Sequence, residues 1–314
     1  MLTHFAAPRL ATLAAFFKTT SDHDLLGCYA WNQAVAAGIF PVLGDFEVVL
    51  RNALHVALSQ YYGAQNSFNW MLPRPNPAHA ANPAAPPTLP SMHAMTAKSR
   101  QELVALEGKI KTKKGGAYTV TPDDIVAGLH FGFWEILIKG LDHPAHPIGL
   151  QGAILSVVFP YAPVTALVPH GHPDFKVRVT NLLLRLRDVR NRIGHHDALW
   201  TTPESNKYGQ LGFFPVRPRH TVTSLRLYCD NLCWLADWID PKISEYIRKS
   251  DHWSTLEILL SRQALLTYRV QGGRIGTFQT VMTNAPAPRP AKVGLGPRVH
   301  GRISERGLLR AYYY

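Results

Sequence analysis

Apolar residues recur at three- and four-residue steps through most of this chain, the spacing of one buried helix face. From Pro41 the positions Leu43, Phe46, Leu50, Leu54, Ala57, Leu58 and Tyr61 form one stripe, opened by a proline suited to a first turn and closed at Gly63. The preceding stretch, Asp24 to Phe40, predicts a separate helix with Leu25, Leu26, Tyr29 and Val35 inward. Thr121, Pro122 and Asp124 form a capping start for a helix from Asp123 to Lys139. A fourth helix runs from about Asp174 to Ile193, with Val177, Leu182, Leu183, Leu186 and Val189 on its buried side. Thr223 to Ile239 and Asp240 to Lys249 complete the ordered set, divided at Pro241. Alternating strand patterns are scarce, Ala117 to Val120 being the best of them. The predicted fold class is all-α.

Two segments lack periodicity. Pro73 to Pro90 holds seven prolines and reads as an extended surface insertion within a helical domain spanning 1–275. The remaining 276–314 reads as a disordered basic tail rich in Pro, Gly and Arg. From Asp142 to Asp174 no charged side chain intervenes, but six prolines exclude a simple spanning helix there; a buried helix near Ile154 to Phe159 between loops fits better. A cytoplasmic protein with no membrane role is expected. Three cysteines exclude a disulfide scaffold. Thirty-three Lys and Arg against 21 Asp and Glu leave a formal charge of +12, compatible with an anionic partner such as RNA.

The densest polar cluster follows the fourth helix: Arg185, Arg187, Asp188, Arg190, Asn191, Arg192, Gly194, His195, His196 and Asp197. Gly194 is the natural left-handed residue to end that helix, and a turn there could bring the His195 imidazole back toward Arg190. Imidazole can move protons near neutral pH, and a guanidinium can neutralise a phosphorane, which together suit RNA cleavage. The same residues also suit a solvated basic helix end that complements the helix dipole.

Arg190-Asn191-x3-His195 matches the Arg-x4–6-His signature of the HEPN superfamily, and RNRIGHHD resembles the RNRIxHHE string of its Abi-like (abortive infection) branch. Asp197 stands where that branch carries Glu, and Ala198 where it carries Pro. Further landmarks fall in the branch's order: Tyr29-Ala-Trp31-Asn32, Phe46-Glu47-x3-Arg51-Asn52, Tyr62-Gly63, Thr121 to Val126, Phe131 to Trp134 and Val158-Phe159-Pro160. The resemblance covers residues 22 to 250. It implies a HEPN-type helical bundle, a homodimer with a composite active site, and metal-independent endoribonuclease activity giving 2′,3′-cyclic phosphate and 5′-OH ends. It also implies an antiphage or toxin role, with an antitoxin as a possible partner and no cofactor or metal. By motif, Arg190 stabilises the transition state and His195 is the acid or base, with Asn191, His196 and Asp197 supporting. A non-catalytic RNA-binding or regulatory protein of the same fold is the alternative.

Glu47 and Arg51 are spaced for an i,i+4 ion pair and, with Asn52 and His55, interrupt an apolar helix; they read equally as a surface pair or as support for the catalytic loop. His143 and His146, and His170 and His172, lie in Pro-rich loops without a third ligand at metal-site spacing. Cys229 and Cys233 read as buried core residues. Lys109, Lys111, Lys113 and Lys114 read as a solvated helix end.

Overall fold

Forty consecutive residues, Asp22–Tyr61, form one helix although a proline lies in its middle. Pro41 forfeits one backbone hydrogen bond and clashes with the preceding turn, at about 3 kcal/mol. Across it the stripe Val35, Ile39, Val42, Leu43 and Phe46 is almost wholly buried. At roughly 1.5–3 kcal/mol for each side chain, burial outweighs the break, so the two helices expected here are one. Its length is about 60 Å.

The structure is a computed structural model that describes residues 4, 6–85, 88–89, 97–164 and 168–273, with the dipeptides 302–303 and 309–310. Its helices are α1 (Ala7–Phe17), α2 (Asp22–Tyr61), α3 (Pro77–Ala81), α4 (Ala97–Lys114), α5 (Pro122–Gly128), α6 (Phe131–Lys139), α7 (Leu150–Val158), α8 (Pro173–Gly194), α9 (Pro218–Ile239), α10 (Pro241–Lys249), α11 (Asp251–Leu259) and α12 (Arg262–Val270). The all-α class holds: extended pairing among the described residues is limited to two-residue segments and one isolated bridge. Apart from the two dipeptides, the expected tail from 276 lies outside the described residues.

Helix α2 is the axis. Helices α1, α7, α8, α9, α11 and α12 all pack on it, although by length and apolar composition alone it could also cross a membrane. Near its N-terminus Asp24 takes a two-pronged hydrogen bond from Arg269 of α12, at 2.6 and 2.7 Å. The Trp31 indole donates to Leu259 O of α11 at 2.9 Å. Gly27 makes this approach possible, since a Cβ there would stand 2.2 Å from Tyr268 O.

Several expected elements differ. The helix expected from Asp123 to Lys139 is two, α5 and α6, because His130 accepts from Phe133 N–H at 3.2 Å and caps a new start. Ala117 to Val120 is irregular chain after α4. The proline-rich insertion holds the short helix α3, which Asn76 caps by accepting from Ala78 N–H, and a two-residue pairing of 74–75 with 88–89. Beyond Lys249 the chain continues into α11 and α12, each capped by a serine, Ser250 and Ser261. Val177 is exposed, two residues and therefore about 200° round the helix from buried Phe175. Leu26 and Tyr29 are half-buried, and Tyr61 lies outside the core.

Two stability effects follow from the α2–α12 contact. Gly27→Ala should lower the stability by about 1–3 kcal/mol, read as a drop in unfolding midpoint, because Tyr268 backbone has to move. The Arg269 hydrogen bond holds the Asp24 carboxyl below its usual range. A depressed folded pKa adds stability above the unfolded value of about 3.9 and loses it as pH falls further. Asp24→Asn should therefore destabilise at pH 7 and converge on the parent protein in acid, as measured by denaturant unfolding across pH.

Candidate active site

The buried stripe of α8 runs from Phe175 to Val189. At about 100° per residue, Arg185 and Arg192 flank the stripe on one side and Arg187 on the other, Asp188, Asn191 and His195 lie on the back of the helix, and Arg190 falls at the edge of the stripe itself. The helix ends in a double closure: His196 N–H donates to Ile193 O at 3.1 Å, and Asp197 N–H to Arg192 O at 2.7 Å. The left-handed residue that this closure needs is His196, at φ +53°, whereas Gly194 stays in the helix. The turn thus falls two residues later than expected. Histidine tolerates that region better than most residues, at a cost of about 1–2 kcal/mol relative to glycine.

Three of the four arginines are committed to the fold. Arg192 Nη1 donates to Ala198 O and to Thr201 Oγ1, both at 2.7 Å, and staples the loop that follows the helix. Arg185 pairs with Asp188 at 3.1 Å. Arg187 reaches Glu135 of α6 at 2.8 Å; that carboxylate is fully buried and also meets Lys139 at 2.9 Å. By contrast, the side chains of Arg190, Asn191, His195 and His196 have no hydrogen-bond or ion-pair partner among the described residues. Asn191, His195 and His196 are exposed and Arg190 half-buried. Asp197 accepts from Ala198 N–H at 2.7 Å, which tightens the loop.

Asn191 and His195 open on a cavity of about 320 Å³, with Arg192 and Asp197 on its polar wall and Pro203, Leu211 and Phe214 in its apolar lining. Arg190 does not line it. Its charge acts on Glu47 of α2. Burial pushes the Glu47 carboxyl up, and the positive charges of Arg190, Arg51 and His130 pull it down by less.

The expected Glu47–Arg51 ion pair does not form. Arg51 Nη1 donates to Ala127 O at 3.3 Å, one of the carbonyls left unpaired at the end of α5. Asn52 is exposed. His55 belongs to the core: the Trp70 indole donates to its Nδ1 at 3.1 Å, which leaves Nε2–H to donate to Asn66 Oδ1 at 2.8 Å. Glu47 and Arg51 therefore share the Arg190 side of the site, and His55 serves the packed interior.

The remaining histidines and cysteines have structural settings. His170 Nε2 lies 2.9 Å from Phe159 O, His172 caps α8, and His143 Nδ1 accepts from Ala145 N–H. No cluster of three His, Cys, Asp or Glu is placed to hold a metal among the described residues. Cys229 and Cys233 are buried, and burial pushes the Cys233 thiol up to about 12. The segment around Phe214 has no helical or strand period, and its contribution to the cavity was legible only as the aromatic pair Phe213-Phe214 in a loop.

No family model matches the chain, and no curated protein or solved structure matches it significantly.

Relief of the left-handed strain gives a direct check. His196→Gly should raise the unfolding free energy by about 0.5–1 kcal/mol, less the entropy glycine adds to the unfolded chain. Thermal unfolding reads the sign.

Proposed function

We propose that this chain is a metal-independent endoribonuclease of the Abi-like HEPN type, acting on RNA in an antiphage abortive-infection or toxin role. The observation that carries the reading is the division of labour at the end of α8. Arg185, Arg187 and Arg192 have acceptors within the fold, whereas half-buried Arg190 and exposed Asn191, His195 and His196 have none among the described residues. A helix end that is itself fixed in the fold and carries polar side chains without partners is open to a ligand that is not part of the chain.

In the proposed reaction an imidazole takes the proton of the ribose 2′-OH as the 2′-oxygen bonds to phosphorus. The phosphorus–5′-oxygen bond then breaks, and the leaving 5′-oxygen receives a proton. His195 serves one of these transfers. The Arg190 guanidinium neutralises the charge that builds on the non-bridging oxygens. Glu47 lies in the field of Arg190 without forming a close ion pair with it. Because Arg190 does not line the cavity on which His195 opens, a homodimer that joins two α8 ends would complete the site. The arginine of one copy then meets the histidine of the other. An antitoxin would act by covering the same helix end.

Purified protein should cleave single-stranded RNA in EDTA and leave 2′,3′-cyclic phosphate ends. His195→Ala and Arg190→Ala should each lower the rate by about 10²–10⁴-fold with unchanged circular dichroism. Undiminished cleavage by His195→Ala overturns its assignment.

The separation of Arg190 from the cavity of His195 favours one other reading, an RNA-binding or regulatory protein without cleavage. Its mark would be RNA binding that weakens steeply with salt, with intact RNA recovered at every protein concentration.

A further inference from the structure

We propose that Phe214 is a stacking platform for a nucleobase beside the phosphodiester presented to His195; this rests on the ribonuclease reading for the identity of the ligand. Phe214 and His195 line the same cavity, and Phe214 is exposed, at 57%, whereas the other phenyl ring among its described lining residues, Tyr228, is buried. Leu211, which also lines it, Phe213 and Val216 are exposed as well, so four large apolar side chains stand in solvent within six residues. Such a patch on an isolated chain marks a surface meant for contact.

The exposure does not come from a loose loop. Glu204 N–H donates to Phe213 O at 2.9 Å and Gly212 N–H to Glu204 O at 2.8 Å on the outer side of the Ser205–Leu211 bridge, and Asn206 N–H donates to Gln210 O at 3.0 Å on its inner side. Asn206 closes the turn by accepting from Tyr208 and Gln210 N–H at 2.8 and 3.1 Å. Gly209, at φ +72°, presses the turn onto α8 so closely that a Cβ would stand 2.5 Å from the Asn181 carbonyl carbon. The Arg178 guanidinium lies 3.8 Å over the Tyr208 ring, and Asn231 of α9 donates to Ser205 O at 2.8 Å. Phe213 is braced edge-on by His220 at 4.9 Å between ring centres. Phe214 has no such ring partner among the described residues and is more than half exposed.

The surroundings decide between possible occupants. The loop carries Lys207 and Arg217 against Glu204, and Arg219 follows at the start of α9, while on the cavity wall itself Arg185 and Arg192 are matched by Asp188 and Asp197. An apolar plate within an excess of positive charge suits a ligand that is anionic along its backbone and flat and aromatic beside it. Single-stranded nucleic acid has both properties, and its bases stack on aromatic side chains whatever their identity.

The test uses the full chain carrying His195→Ala, so that RNA survives, and a short single-stranded RNA containing 2-aminopurine. Binding should quench the fluorophore. Phe214→Ala should weaken affinity about tenfold or more and abolish most of the quench; Phe214→Trp should restore both, and Phe214→Leu neither. In protein with His195 intact, Phe214→Ala should raise KM more than it lowers kcat. Unchanged binding and cleavage by Phe214→Ala overturn the platform while leaving the ribonuclease reading in place. Unchanged RNA binding with loss of a dimer on sizing also overturns it, and gives the face to a second copy. A Phe214-dependent quench without cleavage by any variant keeps the platform and removes the ribonuclease. Failure of every variant to bind RNA removes both.

Discussion

A fully buried carboxylate has to be matched by positive charge, and Glu135 in α6 sets that requirement for the whole site. Arg187 and Lys139 meet it from α8 and from the end of α6 itself. Loss of one partner of a buried pair typically costs about 3–5 kcal/mol, so α8 is not free to rotate or slide against α6. With Arg187 fixed, the rest of the helix end is fixed with it. Arg190 is presented toward Glu47 on α2, and Asn191 and His195 toward the cavity. Arg192 then holds the outgoing loop by two hydrogen bonds.

The same helix explains why some of the architecture was legible in the sequence and some was not. A long amphipathic period survives any context, and α8 and α9 end where their patterns end. Boundaries within α2 and between α5 and α6 depend on competition. Pro41 argues for a stop, but the buried side chains around it argue more strongly; His130 carries no helix-start reputation, yet its imidazole caps α6. Helices α11 and α12 are only nine residues each, and their serine caps were the readable signal. Their stability comes from docking on α2, which a local pattern does not reveal.

At the site, residue types and spacing identified the cluster but not its allegiance. Arg185, Arg187, Arg190 and Arg192 are alike in sequence, and only the acceptors around them separate three structural cations from Arg190, which has none among the described residues. The position of the left-handed turn was equally hidden, because glycine is the favoured residue and histidine an allowed one. Glu47 was visible as a charge in an apolar helix, but its relation to Arg190 arises from two helices packed side by side.

The clasp between Asp24 and Arg269 joins positions 245 residues apart, and Trp31 reaches Leu259 across 228. During synthesis the axial helix is therefore finished long before its last covering pair leaves the ribosome, at about 5–20 residues per second. For those seconds a long apolar face lacks α11 and α12. Contacts of such high sequence separation slow folding. A nascent chain of this design is thus exposed to chaperones, and to copies of itself, for most of its time in translation.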